Sequence, residues 1–138
     1  MTADPAGAGW KEFRSTGGFE RHVGPLWAKV IEPGRLGFAF RAGAQHSNPH
    51  GVVHGGMLVT FIDQVLGALA WYVAGKKPSV TLTLNSDFVS PARVGDWIEG
   101  RGKVVRNGRS LIFLRGEAMV GERVVLSATG IWKVLGVD

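Results

Sequence analysis

The stretch "NPHGVVHGGMLVTFIDQVLGALAWY", residues 48–72, decides the fold. It opens with turn residues, passes through a pair of glycines and continues as a long apolar run. Gly75 ends the run and Pro78 follows shortly, a pattern typical of a helix C-terminus. The stretch therefore predicts one helix from about His54 to Ala74, apolar on nearly all sides. A single carboxylate, Asp63, lies in the middle of that helix.

The segments that flank this helix alternate apolar and polar residues, which is the period of a β-strand. Residues 26–42, "LWAKVIEPGRLGFAFRA", predict two strands joined by a turn at Pro33 and Gly34. Asn107-Gly108 and Gly121-Glu122 predict the turns of two hairpins, which make the sheet antiparallel and the fold class α+β. After the helix, the pattern predicts four more strands over residues 79–88, 97–105, 110–120 and 123–134.

The beginning of the chain has a different composition from the rest. Residues 1–18 are rich in glycine, alanine and polar residues, so we expect a loose lead-in with a short helix around Trp10 to Phe13. Residues 19–138 then form a single domain, which suits a chain of 138 residues. The chain opens without a signal-peptide pattern and has no cysteine, so we expect a cytoplasmic protein. The lack of cysteine also excludes disulfides, thiolate metal sites and a cysteine nucleophile.

The chain is basic, with a net charge of +5 and a pI of about 10.1. Scattered surface charge that keeps the protein soluble is the simpler interpretation. The other is an anionic partner. The basic residues come singly or in pairs and form no run, which disfavours nucleic acid. Their spacing is compatible with contacts to a phosphorylated small ligand.

Residues 57–75 form an apolar run of about the minimum length that crosses a bilayer. Asp63 would cost roughly 2.5–3.5 kcal/mol at the centre of such a span, so we expect no membrane segment. A helix that is apolar on nearly all sides is otherwise buried within a soluble fold or assembly. One sheet face does not cover it, and a second copy of the chain could. We therefore expect a homo-oligomer, at least a dimer; the alternative is a monomer whose N-terminal segment covers the helix.

The glycine pair lies at the start of the predicted helix. Backbone N–H groups there have no partner within the helix, and the helix dipole adds positive character. Gly55 and Gly56 could thus hold an oxyanion or a polarised carbonyl oxygen, although tight packing at a helix entry explains a lone glycine pair equally well. Asp63 lies nine residues beyond His54, about 13 Å along a helix, so it reaches this point more easily from a neighbouring subunit. Asp63 is either a structural hydrogen-bonding group or a general base or nucleophile.

Three histidines offer a different hypothesis. His46, His50 and His54 are four residues apart, the spacing of metal ligands on a helix. Pro49 and Gly51 interrupt any regular helix there, and the segment holds no carboxylate, so we expect no metal. The serine-hydrolase elbow, the P-loop and the dinucleotide fingerprint are also absent from the sequence, and we expect no cofactor.

The segment "HSNPHGVVHGGMLVTFID", residues 46–63, resembles the signature of the PaaI-like hotdog-fold acyl-CoA thioesterases of the phenylacetate-pathway type. In that signature a histidine follows an asparagine by six residues, two glycines come next, and an aspartate lies nine residues beyond the histidine. The later stretches "SVTLTLNSDFVSPARVGD" and "VVRNGRSLIF" are similar to the family as well. The resemblance covers about residues 19–134. The matching positions are Asn48, His54, Gly55, Gly56 and Asp63.

The resemblance implies a long central helix wrapped by a five- to six-stranded antiparallel sheet. It also implies a homodimer with active sites at the dimer interface, commonly paired again into a homotetramer. In such a site Gly55 donates its amide to the thioester carbonyl and Asn48 helps to hold it. Asp63 of the other subunit activates water or attacks directly, and Thr81 orients the water. His54 shapes the turn rather than acting as a base.

The implied function is hydrolysis of an aryl- or medium-chain acyl-CoA to a free acid and CoA. The alternatives are a non-catalytic acyl-CoA binding or sensing module and a hotdog hydratase that acts on enoyl thioesters, although the hydratase motif is not seen. The 4-hydroxybenzoyl type of thioesterase places its aspartate before the helix, where this chain has none.

The candidates for substrate binding are Gly56, Arg93, Arg106 and Arg109, and those for lining the acyl pocket are Leu66, Leu69, Trp71 and Phe88.

Overall fold

The computed structural model describes residues 8–14, 17–33 and 35–137. Seven strands and two α-helices follow one another in this part of the chain, together with a short 3₁₀ turn at Ala44–His46. In chain order the elements are β1 (Lys11–Phe13), α1 (Gly18–Val23), β2 (Leu26–Glu32), β3 (Arg35–Arg41), α2 (Gly55–Val73), β4 (Ser79–Phe88), β5 (Trp97–Asn107), β6 (Leu111–Val120) and β7 (Arg123–Val134).

All seven strands belong to one antiparallel sheet, in the order β1-β2-β3-β5-β6-β7-β4. The long helix α2 lies across one face of this sheet and contacts β3, β4, β5, β6 and β7. The predicted α+β class, the long helix and the six predicted strands are confirmed. The sheet, however, has seven strands, where the resemblance implied five or six.

The additional strand is β1, at the position where the sequence predicted a short helix around Trp10 to Phe13. That prediction is wrong, because Lys11 pairs with Ala28 and Phe13 with Leu26 across β2. Trp10 is buried next to this strand. Three residues are too few to show a strand period, and only the pairing partner defines them. Gly34 of the predicted Pro33-Gly34 turn, and residues 1–7 and 15–16 of the predicted lead-in, lie outside the described residues.

Both ends of α2 are capped. At the N-terminus the His54 side chain accepts a hydrogen bond from the Gly56 amide. At the C-terminus Gly75 has a φ of +71°, which glycine adopts without strain. This turn lets the Lys76 amide donate to the Trp71 carbonyl and the Gly75 amide to the Tyr72 carbonyl. These two bonds form a Schellman motif, so local chemistry sets the helix length.

The sheet face of α2 carries the core of the domain. Seven helix residues are buried, among them Phe61, Ile62 and Leu66, which are fully enclosed. The helix comes close to the sheet because glycines lie beneath it: a Cβ atom on Gly100 would lie 2.6 Å from Val65. By length and hydropathy alone α2 could cross a membrane. Its buried face identifies it instead as the central helix of this domain.

Strand β4 forms one edge of the sheet and pairs with β7 alone among the described strands. Its apolar side chains are largely exposed, with Leu82 at 52% and Phe88 at 60%. An edge strand that offers both free backbone groups and apolar side chains is suited to pairing with another chain.

Candidate functional site

The two glycine amides at the start of α2 differ in their hydrogen bonding. The Gly56 amide donates to Nδ1 of His54 at 2.8 Å, so the cap occupies it. The Gly55 amide has no hydrogen-bond partner among the described residues. One N–H group at the positive end of the helix dipole is therefore available to an incoming oxygen atom.

The asparagine of the motif shapes the loop that leads into the helix. Oδ1 of Asn48 accepts the amides of His50 at 2.9 Å and Val52 at 3.2 Å. These two backbone donors identify which side-chain atom is the oxygen. The Asn48 NH₂ group has no partner in the described part of the chain. Asn48 thus fixes the loop with one end of its amide and keeps a donor at the other end.

An aromatic ring lies against Gly55. A Cβ atom at position 55 would lie 2.9 Å from Cε1 of Phe88, so the ring packs directly on this glycine. Phe88 comes from the end of β4 and most of its surface is exposed. The available amide is therefore next to an apolar surface, which can shield a bound carbonyl group from water.

Asp63 lies on the side of α2 that faces away from the buried core. Its Oδ1 accepts a hydrogen bond from the Thr81 hydroxyl of β4 at 2.7 Å. The two residues line an open groove of about 490 Å³ between α2, β4 and the N-terminal segment. Asp63 makes no ion pair among the described residues. The Asp63 carboxylate is therefore partly exposed and hydrogen-bonded, although it lies in an apolar helix. Its second oxygen faces the groove.

One chain does not bring Asp63 to Gly55. Eight residues of continuous helix separate them, about 12 Å along the helix axis. The structure places Asn48, His54 and Gly55 at the N-terminus of α2 and Asp63 with Thr81 near its middle. The residues of the motif thus form two half-sites, one at the N-terminus of α2 and one near its middle.

The three arginines proposed as substrate contacts are exposed and lie at two distant places. Arg93 pairs with Val52 in an isolated bridge, beside the loop that precedes α2. Arg106 and Arg109 belong to the β5–β6 hairpin, which Asn107 ties to the other end of α2 by donating to the Val73 carbonyl at 3.2 Å. A single chain therefore presents Arg93 separately from the other two.

The histidines are not arranged as metal ligands. His46 is buried, with Nδ1 accepting the Gly43 amide at 3.0 Å and Nε2 donating to the Val23 carbonyl. Both ring nitrogens are thereby used in structural hydrogen bonds. The described residues contain no cluster of three or more metal-binding side chains.

The candidate acyl-pocket residues separate into different environments. Leu66 is fully buried in the core. Trp71 lines the Asp63 groove, and Phe88 covers Gly55. Leu69 lines a second, apolar pocket that adjoins the Asp63 groove at Ala68.

Phe13 and Glu20 line the Asp63 groove, and sequence reasoning did not single them out. One carboxylate oxygen of Glu20 is buried without a hydrogen-bond partner in the described structure. Both residues come from the segment before β2, and no local pattern indicates that this segment folds against α2. Tertiary packing alone brings them to the groove.

Comparisons of the sequence with known proteins find thioesterases and a related esterase. The family model described as the thioesterase superfamily matches residues 50–127. A Pseudomonas aeruginosa protein named as an esterase is 37% identical over 111 residues, which cover 80% of this chain and 83% of that protein. Human acyl-coenzyme A thioesterase 13 is 27% identical over 95 residues, covering 69% of this chain and 68% of the human protein.

A solved structure shares the fold. The thioesterase-type protein of Ralstonia eutropha, named as related to phenylacetic acid degradation, superposes with a TM-score of 0.73 at 28% identity. The match covers 88% of this chain and 92% of that chain. The helix and the antiparallel sheet described above are thus those of the hotdog thioesterases.

Removal of the His54 cap should destabilise the protein. Replacement of His54 by alanine leaves the Gly56 amide without its acceptor, and we expect a loss of about 1 kcal/mol in the free energy of unfolding. Urea unfolding at a fixed protein concentration measures this change. His54→Asn is the matched control, since asparagine is a good N-cap residue and should restore most of the loss. Equal stability of His54→Ala and wild type would contradict the capping role.

Proposed function

The chain belongs to the thioesterase superfamily, and from that premise we propose that it is a thioester hydrolase that cleaves an acyl-CoA to a free acid and CoA. The acyl-CoA class is supported by the similarity to human acyl-coenzyme A thioesterase 13. The observation that carries the proposed mechanism is the Asp63–Thr81 pair. It is a carboxylate held by a hydroxyl in an open groove, on a helix whose other face is packed with apolar side chains.

In the proposed reaction water attacks the thioester carbonyl carbon. Asp63 accepts a proton from this water as the new C–O bond forms, and the Gly55 amide stabilises the oxyanion. The C–S bond then breaks and CoA leaves as a thiolate. A thiol has a pKa of roughly 8.5, so its departure requires little help from an acid. Thr81 holds one oxygen of Asp63 and leaves the other free, and the proposed route uses this free oxygen as the base. Direct attack by the same oxygen on the carbonyl carbon is the alternative route.

The Asn48 side chain has a place in the same scheme. Its Oδ1 is already held by the loop, which leaves the NH₂ group as a donor on the segment that leads into α2. In this scheme the NH₂ group and the Gly55 amide donate to the same carbonyl oxygen. Two donors that converge on one oxygen atom form an oxyanion hole. Phe88 would exclude water from that oxygen and so strengthen both hydrogen bonds.

The proposed site is built from two subunits. Asp63 and Gly55 of one chain are too far apart to act on the same carbonyl group, whereas Gly55 of the partner subunit could meet Asp63 across a twofold axis. The edge strand β4 supports this arrangement, because it carries Thr81 and Phe88 and exposes apolar side chains such as Leu82. We propose a homodimer that pairs along β4, and a dimer of such dimers as the alternative assembly.

The phosphates of CoA would be held by basic residues. In a two-subunit site, Arg93 near one end of α2 and the Arg106–Arg109 hairpin near the other can come from different chains. Arginine binds phosphate oxygens in a bidentate manner, which suits this role. A cytoplasmic location stays a prediction.

Replacement of Asp63 by asparagine should abolish turnover. Asparagine can still accept the Thr81 hydroxyl but cannot take a proton from water, so we expect kcat to fall by about 10²–10⁴-fold. The measurement is release of free thiol from a panel of aryl and aliphatic acyl-CoAs. The matched control is Glu122→Gln, an exposed carboxylate in the turn between β6 and β7, which should behave as wild type. Retained activity in Asp63→Asn would exclude Asp63 as the base. Binding of acyl-CoA without turnover by wild type would assign a sensing module instead.

The role of the Gly55 amide can be tested with a substitution that removes its N–H group. Proline is well tolerated at the first position of a helix, and His54 already has the ψ of 134° that a residue before proline prefers. We expect Gly55→Pro to lower kcat by about a hundredfold or more. Gly55→Ala is the matched control, because it adds the same Cβ atom against Phe88 and keeps the N–H. Equal activities of the two variants would show that the amide makes no catalytic contact.

The two-subunit arrangement predicts complementation between these inactive variants. A mixed dimer of Asp63→Asn and Gly55→Pro chains has one doubly defective site and one intact site. After denaturation and refolding of an equal mixture, we expect about a quarter of the wild-type activity. The control is each variant refolded alone. No recovery in the mixture, with mixed dimers demonstrated by mass spectrometry, would contradict a site shared between subunits.

A further inference from the structure

A second pocket lies next to the Asp63 groove, further around α2. It has a volume of about 260 Å³ and opens between the β2–β3 hairpin and the C-terminal half of the helix. The hairpin contributes Val30, Leu36 and Phe38, and the helix contributes Val65, Leu69 and Tyr72. Val30 and Leu36 are 66% and 51% exposed, so apolar surface remains open to solvent at this pocket.

Among the described residues that line this pocket, Arg35 is the only charged one, and it is already paired. Its guanidinium donates to Glu32 at 3.3 Å. The pocket therefore offers no unpaired charge to a ligand, and its surface suits an uncharged, apolar group. Its volume is below the range of about 300–1,000 Å³ that holds a whole small ligand, which suits the end of a longer molecule.

Ala68 connects the pocket to the Asp63 groove, because it lines both. On α2 it belongs to the row Gln64, Ala68 and Tyr72, in which residues are spaced by four and form a ridge along the helix. The ridge separates the two cavities, and the methyl side chain of Ala68 is its lowest point. Gly67 beside it also lines the groove and adds no side chain.

We propose that the alkyl tail of a straight-chain acyl group passes over Ala68 and occupies this apolar pocket. The inference rests on the proposed function for the position of the thioester near Asp63. The pocket begins beyond Ala68, so the acyl group must be long enough to cross the ridge at this residue. Medium and longer chains such as lauroyl reach the pocket, whereas acetyl and butyryl do not. The site thereby selects longer over shorter straight-chain acyl-CoAs.

The test is the ratio of kcat/KM for lauroyl-CoA to that for butyryl-CoA. Wild type should favour lauroyl-CoA. Ala68→Leu raises the lowest point of the ridge, and Leu36→Asp places a charge at the pocket, so each should lower the ratio by about tenfold or more. Val105→Asp is the matched control, an exposed apolar residue on β5 outside the pocket, and should keep the wild-type ratio.

A binding measurement separates this inference from the proposed function. Titration of lauroyl-CoA into the Asp63→Asn protein gives a Kd, which should rise about tenfold or more when Ala68→Leu is added. Failure of every thioester to turn over would remove the proposed function, while the binding experiment still tests the pocket. Unchanged kcat/KM ratios in both pocket variants, together with an unchanged Kd on addition of Ala68→Leu, would overturn the inference. A changed molecular mass with an unchanged ratio would also overturn it and would assign this face to a contact between subunits.

Discussion

The burial of one face of α2 against the sheet is the interaction on which the rest of the structure depends. Phe61, Ile62 and Leu66 are fully enclosed there. Burying a large aliphatic or aromatic side chain is worth about 1.5–3 kcal/mol, so this face fixes the rotation of the helix about its axis. Gly100 and Gly116 permit the close approach, since a Cβ atom on either would lie within 3 Å of helix side chains. Once that rotation is set, Asp63 must face away from the core.

The N-terminus of the same helix shows how a structural and a chemical role can lie on adjacent residues. A helix leaves its first N–H groups without internal partners. His54 uses one of them, at Gly56, to cap the helix. The neighbouring Gly55 amide is left without a partner in the described structure, and the Phe88 ring packs against the same glycine. The cap stabilises the helix end and so holds the available amide in a fixed direction, which is the preorganisation that an oxyanion site requires.

The rigidity of α2 also makes a single chain incomplete. The helix holds Asp63 and Gly55 about 12 Å apart, and no side-chain motion closes that distance. The edge strand β4 carries Thr81 to Asp63 and Phe88 to Gly55, so the strand that exposes its backbone and its apolar side chains also contributes to both half-sites. Association along this strand and assembly of the proposed site would therefore be the same event. The apolar pocket adjoins the Asp63 groove at Ala68, which puts it within reach of the tail of a substrate in that groove.

The sequence by itself determined the elements whose signals are local. Periodicity predicted α2 and six strands, and the spacing of Asn48, His54, Gly55 and Asp63 identified the motif. It could not show that Lys11–Phe13 is a strand, because three residues have no period and only pairing with β2 defines them. It could not divide the roles of Gly55 and Gly56, which depend on where one imidazole points. The Asp63 groove and the pocket beyond Ala68 were decided only by the tertiary structure, because their walls come from segments far apart in the chain, brought together when α2 buries its apolar face.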